Sequence, residues 1–290
     1  MKIGVISGFA QHTSPDLIAE TGRALEERGI HSYWAPEHVV FFPEYASKYP
    51  YSGDGKLPGD PDGVLEPFTV LTFMAAHTSR LRLGTGICLV PQRHPVYTAK
   101  QVADVDYLSG GRVDFGVGIG WLREEFEALG VPWKGRAART RECLAVMKTL
   151  WCDEVSHFEG EIFQLPECLQ NPKPVQKPHP PIYFGGESDA ALRRVAELGQ
   201  GWFGFQRMPE DLPEPLARLD ALLAEAGRSR KDVAIQVSPY LRRIEDDDLR
   251  RYAELGVDQV ILPMLALDPD SMKRAADAAG ACVRVAEEAG

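Results

Sequence analysis

Short apolar and β-branched runs alternate with longer amphipathic runs along almost the whole chain. Eight of the short runs have the length and composition of buried β-strands, and they are Lys2–Ile6, Ser32–Pro36, Leu81–Thr85, Val113–Val117, Pro181–Phe184, Gly201–Phe203, Val233–Val237 and Gln259–Leu262. Apolar residues at helical spacing lie between them, over residues 67–78, 95–109, 136–152, 188–198, 210–227, 247–255 and 270–288. The pattern therefore predicts a series of βα units.

The first helix is predicted from its end signals as well as from its apolar face. Ser14 suits the N-cap, Pro15 suits the first helical turn, and Gly29 stands where a glycine commonly ends a helix. Leu17 and Ile18 lie on the apolar face between these signals. A helix directly after the first strand fits the βα pattern.

Strict alternation of strands and helices predicts parallel strands joined by right-handed crossovers. Eight such units close into a (β/α)₈ barrel, and we expect one barrel domain over residues 1–290. A doubly wound open sheet is the alternative. The first βα turn, Gly8-Phe9-Ala10-Gln11, lacks the GxGxxG pattern that would favour the open sheet.

Two segments are longer than ordinary connections in a compact domain. Val39–Glu66 is rich in proline, glycine and tyrosine, and Val155–Pro180 contains the hairpin-like sequence HFEGEIFQLP and then a proline-dense stretch. Long loops in such domains are usually functional. We expect both as insertions at the rim formed by the C-terminal ends of the strands, where barrels of this kind carry their chemistry.

Composition and charge narrow the class of partner. The net charge of −10 argues against nucleic acid or an acidic membrane surface, and no apolar stretch is long enough to span a bilayer. Five cysteines without a CxxC pair favour reduced thiols, and the chain starts without a signal-peptide pattern, so a cytoplasmic protein is expected. The histidines lack metal-binding spacing, so no metal is expected.

Glu37-His38 directly follow the second predicted strand, at the expected catalytic rim. A histidine moves protons near neutral pH, and a neighbouring carboxylate such as Glu37 can tune it. The pair is therefore predicted as catalytic. A histidine that is merely hydrogen-bonded at the start of a loop is the alternative.

Glycines mark the ends of the third and fourth predicted strands. Gly84-Thr85-Gly86 ends the third strand, which is typical of a bulge or of a ligand that approaches the backbone closely. Gly116, Gly118 and Gly120 follow the fourth, and Trp121 comes next. An aromatic side chain in that place can cover a flat ring system, or it can pack on the helix that follows.

Gly185-Gly186 follow the fifth predicted strand, and Ser188 suits the N-cap of the next helix. Free N–H groups and the helix dipole make such a turn an anion site, although an ordinary chain reversal has the same sequence. Glu187 beside an anion is unfavourable unless its carboxylate turns outward or binds a hydroxyl group.

Taken together, these motifs resemble the luciferase-like monooxygenase superfamily, and specifically its branch that uses the deazaflavin coenzyme F420. The most specific segments are GVGIGWLREEFEALG and NPKPVQKPHPPI, and the resemblance covers nearly the whole chain. It implies that His38 works beside the deazaflavin ring and that Gly86-Ile87 form a backbone bulge, often with a cis peptide bond, behind that ring. The cofactor-binding residues implied by the motifs and the resemblance are Thr85, Gly86, Ile87, Gly118, Trp121, Gly185, Gly186 and Ser188.

The function that the resemblance implies is hydride transfer between F420 and a small organic substrate. A monooxygenase of the same fold that uses reduced FMN and oxygen is the first alternative, and a catalytically silent flavin-binding protein is the second. Sugar-phosphate dehydrogenases of the branch carry a glutamate where this chain has Trp121, which argues against that substrate. A homodimer is the family expectation.

Overall fold

A computed structural model describes residues 1–58, 63–265 and 267–289 of the chain. Over these residues the strands are β1 (Lys2–Ile6), β2 (Ser32–Ala35), β3 (Arg82–Thr85), β4 (Val113–Val117), β5 (Ser156–Glu159), β6 (Gln164–Cys168), β7 (Ile182–Gly185), β8 (Gly201–Phe205), β9 (Ala234–Ser238) and β10 (Gln259–Pro263). All except β5 and β6 are parallel and form a closed barrel in the order β1-β2-β3-β4-β7-β8-β9-β10. Since β10 pairs with β1, the predicted barrel is confirmed and the open sheet is excluded.

Helices cover the outside of the barrel. Over the same residues they are α1 (Pro15–Glu27), α2 (Pro67–Ala75), α3 (Pro95–Ser109), α4 (Arg123–Ala128), α5 (Arg136–Cys152), α6 (Asp189–Leu198), α7 (Pro213–Glu225), α8 (Asp246–Glu254) and α9 (Pro269–Ala289). The α1 cap forms as predicted, because Ser14 Oγ accepts a hydrogen bond from Leu17 N at 3.2 Å. The helix predicted from residue 210 begins later, since Pro209–Asp211 form a separate 3₁₀ turn. No helix in the described part of the chain is long and apolar enough to cross a membrane.

The barrel interior is filled by aromatic side chains around Trp34 of β2. Its ring stacks on Phe203 with centroids 5.4 Å apart and meets Tyr183 edge-on at 5.7 Å. Gly84 on the neighbouring strand β3 leaves the room for this ring, because a methyl group at that position would overlap the indole. The interior is therefore a packed core, and a ligand has to bind at an end of the barrel rather than inside it.

Both predicted long connections are present, and the first leaves the C-terminal end of β2, as expected. The second joins the end of α5 to the start of β7, so the expectation that it is inserted at the C-terminal rim is wrong. A connection from a helix to the next parallel strand belongs to the opposite end of the barrel. In the second, β5 and β6 form the antiparallel hairpin that was expected. The first connects β2 with α2, and its residues 59–62 are outside the described part of the chain. We call residues 39–58 of this connection the strap, because they cover the barrel mouth formed by the C-terminal ends of the strands.

Candidate active site

Three of the predicted glycine motifs meet around one side chain, Ile87. A methyl group at Gly185 would lie 2.5 Å from Ile87 Cδ1, and one at Gly118 would overlap the same atom. The Gly86-Ile87 peptide bond is cis, as the resemblance implied. Thr85 Oγ1 donates to a backbone carbonyl of β4 at 2.6 Å, which ties the end of β3 to β4. The ends of β3, β4 and β7 therefore form one continuous floor at the mouth.

His38 lies beside this floor, with its side chain 13% exposed. Its Nδ1 is 3.2 Å from Oε2 of Glu125, a residue of the short helix α4. Its ring meets Trp121 edge-on, with centroids 5.7 Å apart, and lies 5.0 Å from the ring of Phe41. The tertiary structure thus brings the predicted His38 and Trp121 together.

Glu125 is fully buried, and all its hydrogen bonds are accepted ones. Oε1 accepts from Val39 N at 2.6 Å, and Oε2 accepts from Gln92 Nε2 at 2.9 Å as well as facing His38. Burial alone would raise the pKa of Glu125, but these donors, with His38 foremost, lower it below its ordinary value. The carboxylate is therefore ionised, and it favours a proton on Nδ1 of His38, which leaves Nε2 as the other functional atom.

The carboxylate of Glu37 does not contact His38, the partner that the sequence suggested. Its Oε2 accepts from Leu89 N at 2.5 Å, and its Oε1 accepts from Arg93 Nε at 2.6 Å. Arg93 also donates to Glu66 at 2.6 Å. Successive residues of an extended segment point in opposite directions, so the carboxylate that contacts His38 is Glu125 and not its neighbour Glu37. Glu37 instead joins the β2 and β3 connections through Arg93.

The strap is fixed to both sides of the mouth. On one side, Ser47 Oγ donates to Glu124 of α4 at 2.6 Å. On the other, Tyr51 donates its hydroxyl proton to Glu187 Oε2 at 2.9 Å. Between these attachments Tyr49 packs edge-on against Trp121, with centroids 5.1 Å apart. The strap therefore places aromatic side chains over the floor.

Glu187 binds a hydroxyl group, which is one of the two arrangements that the sequence left open. Its Oε2 accepts from Tyr51, and its Oε1 accepts from Phe205 N at 2.8 Å. Burial raises the pKa of Glu187, and these two hydrogen bonds offset the rise only in part. The carboxylate is thus directed toward the strap and β8.

The turn between β7 and α6 has the geometry of an anion site. Gly186 has a φ of +103°, in the region that favours glycine, and its carbonyl accepts from Trp202 Nε1 at 3.0 Å. Ser188 is the N-cap of α6, and its Oγ accepts from Ala191 N at 3.2 Å. Ser188 thus takes the N–H of Ala191, whereas the N–H groups of Asp189 and Ala190 lack intrahelical partners by geometry and are available to an anion.

Buried arginine donors add positive charge beside α6. Arg194, on that helix, is only 6% exposed, and its Nε has no hydrogen-bond partner among the described residues. The Nε of Arg136, at the start of α5, is likewise buried and unpartnered in that part of the chain. Burial and the charges of Arg141 and Arg136 lower the pKa of Arg194. This donor set fits a cofactor that carries a phosphate, because the unsatisfied groups are cationic.

The residues that the structure describes contain no candidate metal-binding site. Within them, no group of three or more histidine, cysteine, aspartate or glutamate side chains is arranged to hold an ion.

The sequence interpretation missed Glu125, Gln92, Arg93 and the strap tyrosines. For Glu125 a signal was present, since Leu122, Glu125 and Leu129 share a helical face at spacings of three and four residues. An acidic residue on an apolar face indicates a buried carboxylate that needs donors. Nothing local marks Gln92 or Tyr51, because their partners lie 33 and 136 residues away.

Comparison with known proteins supports the family resemblance that the sequence motifs indicate. The sequence profile of the luciferase-like monooxygenase family matches residues 1–290. An uncharacterized protein of Mycobacterium bovis is 36% identical over 269 residues, which cover 91% of this chain and 90% of that protein.

One further relative and one solved structure carry names that state a coenzyme. The FMNH₂-dependent dimethylsulfone monooxygenase of Pseudomonas putida is 30% identical over 183 residues, which cover 62% of this chain and 49% of that enzyme. The coenzyme F420-dependent tetrahydromethanopterin reductase of Methanopyrus kandleri superposes with a TM-score of 0.76 at 18% identity, over 98% of this chain and 99% of that one. The second likeness is one of fold alone.

Proposed function

Because the chain belongs to the luciferase-like monooxygenase family, we propose that it is an oxidoreductase that transfers a hydride between the deazaflavin coenzyme F420 and a small organic substrate. The observation that carries the proposal is His38, held at the barrel mouth with Nδ1 against the buried carboxylate of Glu125. When bound, the deazaflavin supplies two-electron hydride chemistry, while the protein supplies orientation, proton handling and exclusion of water.

In this proposal the floor and the start of α6 hold the coenzyme. The ring lies toward Gly86-Ile87, and the phosphate is bound by the turn at Gly185-Gly186 and by Ser188. The unpartnered Nε atoms of Arg194 and Arg136 support the assignment of the phosphate, since a buried donor without a partner is costly unless an acceptor joins it. Trp121, next to His38, forms one wall of the site.

His38 handles the proton in this proposal, and Glu125 is its positioning residue. With Nδ1–H directed to the carboxylate, Nε2 is the atom that gives a proton to the substrate or takes one from it. The ionised Glu125 also fixes the orientation and the tautomer of the imidazole while the proton is transferred. Glu37 acts indirectly in this proposal, because its hydrogen bond with Arg93 holds the connections after β2 and β3 together.

The second candidate is an FMN-dependent monooxygenase, which the FMNH₂-dependent relative supports. Both coenzymes carry a flat ring system and a phosphate, so the floor and the α6 turn suit either. We prefer F420 because of the GIGW segment that ends at Trp121. We further propose a cytoplasmic homodimer that acts on a small molecule, in line with the family expectation.

The test is to titrate the purified protein separately with F420 and with FMN while following coenzyme fluorescence. We expect saturable binding of F420 and hydride transfer with members of a panel of small alcohols and ketones. Binding of FMN without F420 would overturn the preferred coenzyme and favour the monooxygenase. Binding of either coenzyme without turnover under any condition would favour the silent flavin-binding protein.

A matched pair of histidine variants tests the role of His38. His38→Ala should lower kcat by about 10²–10⁴-fold, the usual contribution of a general acid or base, while the coenzyme Kd changes little. His157→Ala is the control, because His157 lies on the β5–β6 hairpin with half its side chain exposed. Equal losses of kcat and coenzyme affinity in His38→Ala would make His38 a structural residue.

A further inference from the structure

A small pocket opens between the strap and Trp121, the residue that forms one wall of the proposed site. Its volume is about 200 Å³, and its walls include Phe41 and Trp121. Both of these residues also contact the ring of His38. The pocket therefore shares two of its walls with the proposed proton-transfer residue.

The size of the pocket limits what it can hold. A protein cavity of about 150 Å³ accommodates benzene, whereas pockets for drug-sized molecules are about 300–1,000 Å³. A pocket of about 200 Å³ therefore fits one six-membered ring with a substituent. The three fused rings of a deazaflavin or flavin exceed that volume, so this pocket suits the substrate rather than the coenzyme.

The walls select for an apolar and flat or compact molecule. Phe41, Phe42, Tyr45 and Trp121 all line the pocket, and Leu57 completes its apolar surface. The rings of Tyr45 and Trp121 meet edge-on, with centroids 5.8 Å apart. Aromatic walls of this kind pack well against another ring.

One charged side chain stands among the described residues that line the pocket, and it is Lys56. Its Nζ lies 4.3 Å from the centroid of the Tyr45 ring, so the ammonium group is held at the pocket wall while it stays exposed to solvent. An ammonium in that position attracts an anionic or oxygen-bearing substituent and repels a cation. The pocket thus has an apolar body and a positive rim.

We propose that this pocket is the substrate site and that its ligand is a monocyclic, largely apolar compound with an anionic or hydrogen-bond-accepting oxygen substituent. The ring lies between Trp121 and Phe41, the two walls that contact the ring of His38, and the oxygen substituent faces Lys56. Assignment of the pocket as the substrate site rests on the proposed function. Binding of the ligand class does not rest on it, because the lining residues all belong to the protein and the pocket is present without a coenzyme.

The experiment is isothermal titration of the full chain, without coenzyme, with four probes. The probes are benzoate, cyclohexanecarboxylate, benzylammonium and anthracene-9-carboxylate. We expect saturable binding of the two monocyclic carboxylates, affinity at least fivefold lower for benzylammonium, and no binding of the three-ring acid. Trp121→Ala should admit the three-ring acid, since it removes one wall of the pocket.

Lys56→Met is the charge test, and Lys231→Met is its matched control on the exposed turn before β9. Lys56→Met should weaken benzoate binding by about two- to fivefold, as expected for one exposed charge pair, and should reduce the preference over benzylammonium. Lys231→Met should change neither value.

Three results would overturn the assignment of this pocket. They are the absence of saturable binding of every monocyclic probe, binding of anthracene-9-carboxylate as tight as that of benzoate, and an unchanged preference in Lys56→Met. If benzoate binds as expected while neither F420 nor FMN binds, the ligand class stands and the proposed function falls.

Discussion

Replacing Glu125 with glutamine changes one oxygen of a carboxylate into a donor while the shape of the side chain is retained. Oε2 faces Gln92 Nε2 at 2.9 Å and His38 Nδ1 at 3.2 Å, and Oε1 accepts from Val39 N at 2.6 Å. Either orientation of the new amide places its NH₂ group against a donor. The imidazole can relieve one conflict by moving its proton from Nδ1 to Nε2, but the other partners cannot.

The expected loss of stability follows from the donors that lose their acceptor. A buried donor left without an acceptor costs about 1–3 kcal/mol. The unfolding entropy near the midpoint is about 2.1 cal/mol/K per residue, or about 0.6 kcal/mol/K for a chain of 290 residues. We therefore expect Glu125→Gln to lower Tm by about 2–5 °C. We expect kcat to fall by about 10²–10⁴-fold, because the wrong nitrogen of His38 carries the proton.

The pH dependence has a defined sign. The folded-state pKa of Glu125 lies below its ordinary value of 4.5, because donors from His38 and its neighbours outweigh burial. Its contribution to stability is therefore complete above that value and is lost as the pH falls through the folded-state pKa. The difference in Tm between the wild-type chain and Glu125→Gln should shrink in the same direction.

The assay combines calorimetry with ¹⁵N-resolved NMR of the imidazole in the coenzyme-free protein. The wild-type His38 should carry its proton on Nδ1, and the variant should carry it on Nε2. Glu127→Gln is the control on the same helix, where an exposed ion pair with Arg123 predicts a Tm within about 1 °C of wild type. An unchanged tautomer of His38 in Glu125→Gln, with an unchanged Tm, would refute the role assigned to Glu125.

Three further substitutions test other parts of the structure. Glu187→Gln should raise Tm, because ionisation of this carboxylate, buried against Tyr51, costs stability, and the gain should grow as the pH rises from 4.5 through the raised folded-state pKa of Glu187. A pH series of melting curves checks this, and a Tm difference that stays constant with pH would contradict it. Gly186→Val should lower the free energy of unfolding by about 1–3 kcal/mol, because valine is strained at a φ of +103°, and it should also weaken coenzyme binding. Unchanged melting and titration curves would disprove both expectations. Arg82→Met should lower the free energy of unfolding by about 3–5 kcal/mol, because it leaves the buried Asp114, whose Oδ2 accepts from Arg82 Nε at 2.9 Å, without its ion-pair partner. An unchanged free energy of unfolding in calorimetry would show that this ion pair does not stabilise the barrel.

Local patterns were enough to predict the scaffold. The strand that begins at Lys2 and the helix that follows Ser14 are set by side-chain spacing and by capping residues, and both lie where expected. The order of βα units also determines which end of each strand faces the mouth. For that reason the chain order alone predicts that His38, Ile87 and Gly185 share one rim.

The partners of the rim residues were decided only by closure of the barrel. Glu125 reaches His38 from 87 positions away, while the adjacent Glu37 turns to Arg93, 56 positions away. Tyr51 meets Glu187 across 136 positions. Spacing along the chain carries information about neighbours within a few residues, whereas these contacts depend on the route of a long loop over a finished barrel.

The sequence by itself therefore determined the alternation of elements, the closed (β/α)₈ fold and the rim that carries the candidate site residues. The tertiary structure alone decided which carboxylate holds His38, which hydroxyl group binds Glu187, and that the strap forms an aromatic pocket with Trp121. The physical reason is that secondary structure follows from local periodicity and backbone sterics. A buried carboxylate instead takes whichever donors the folded chain brings to it, because leaving it unpaired costs more than any local preference supplies.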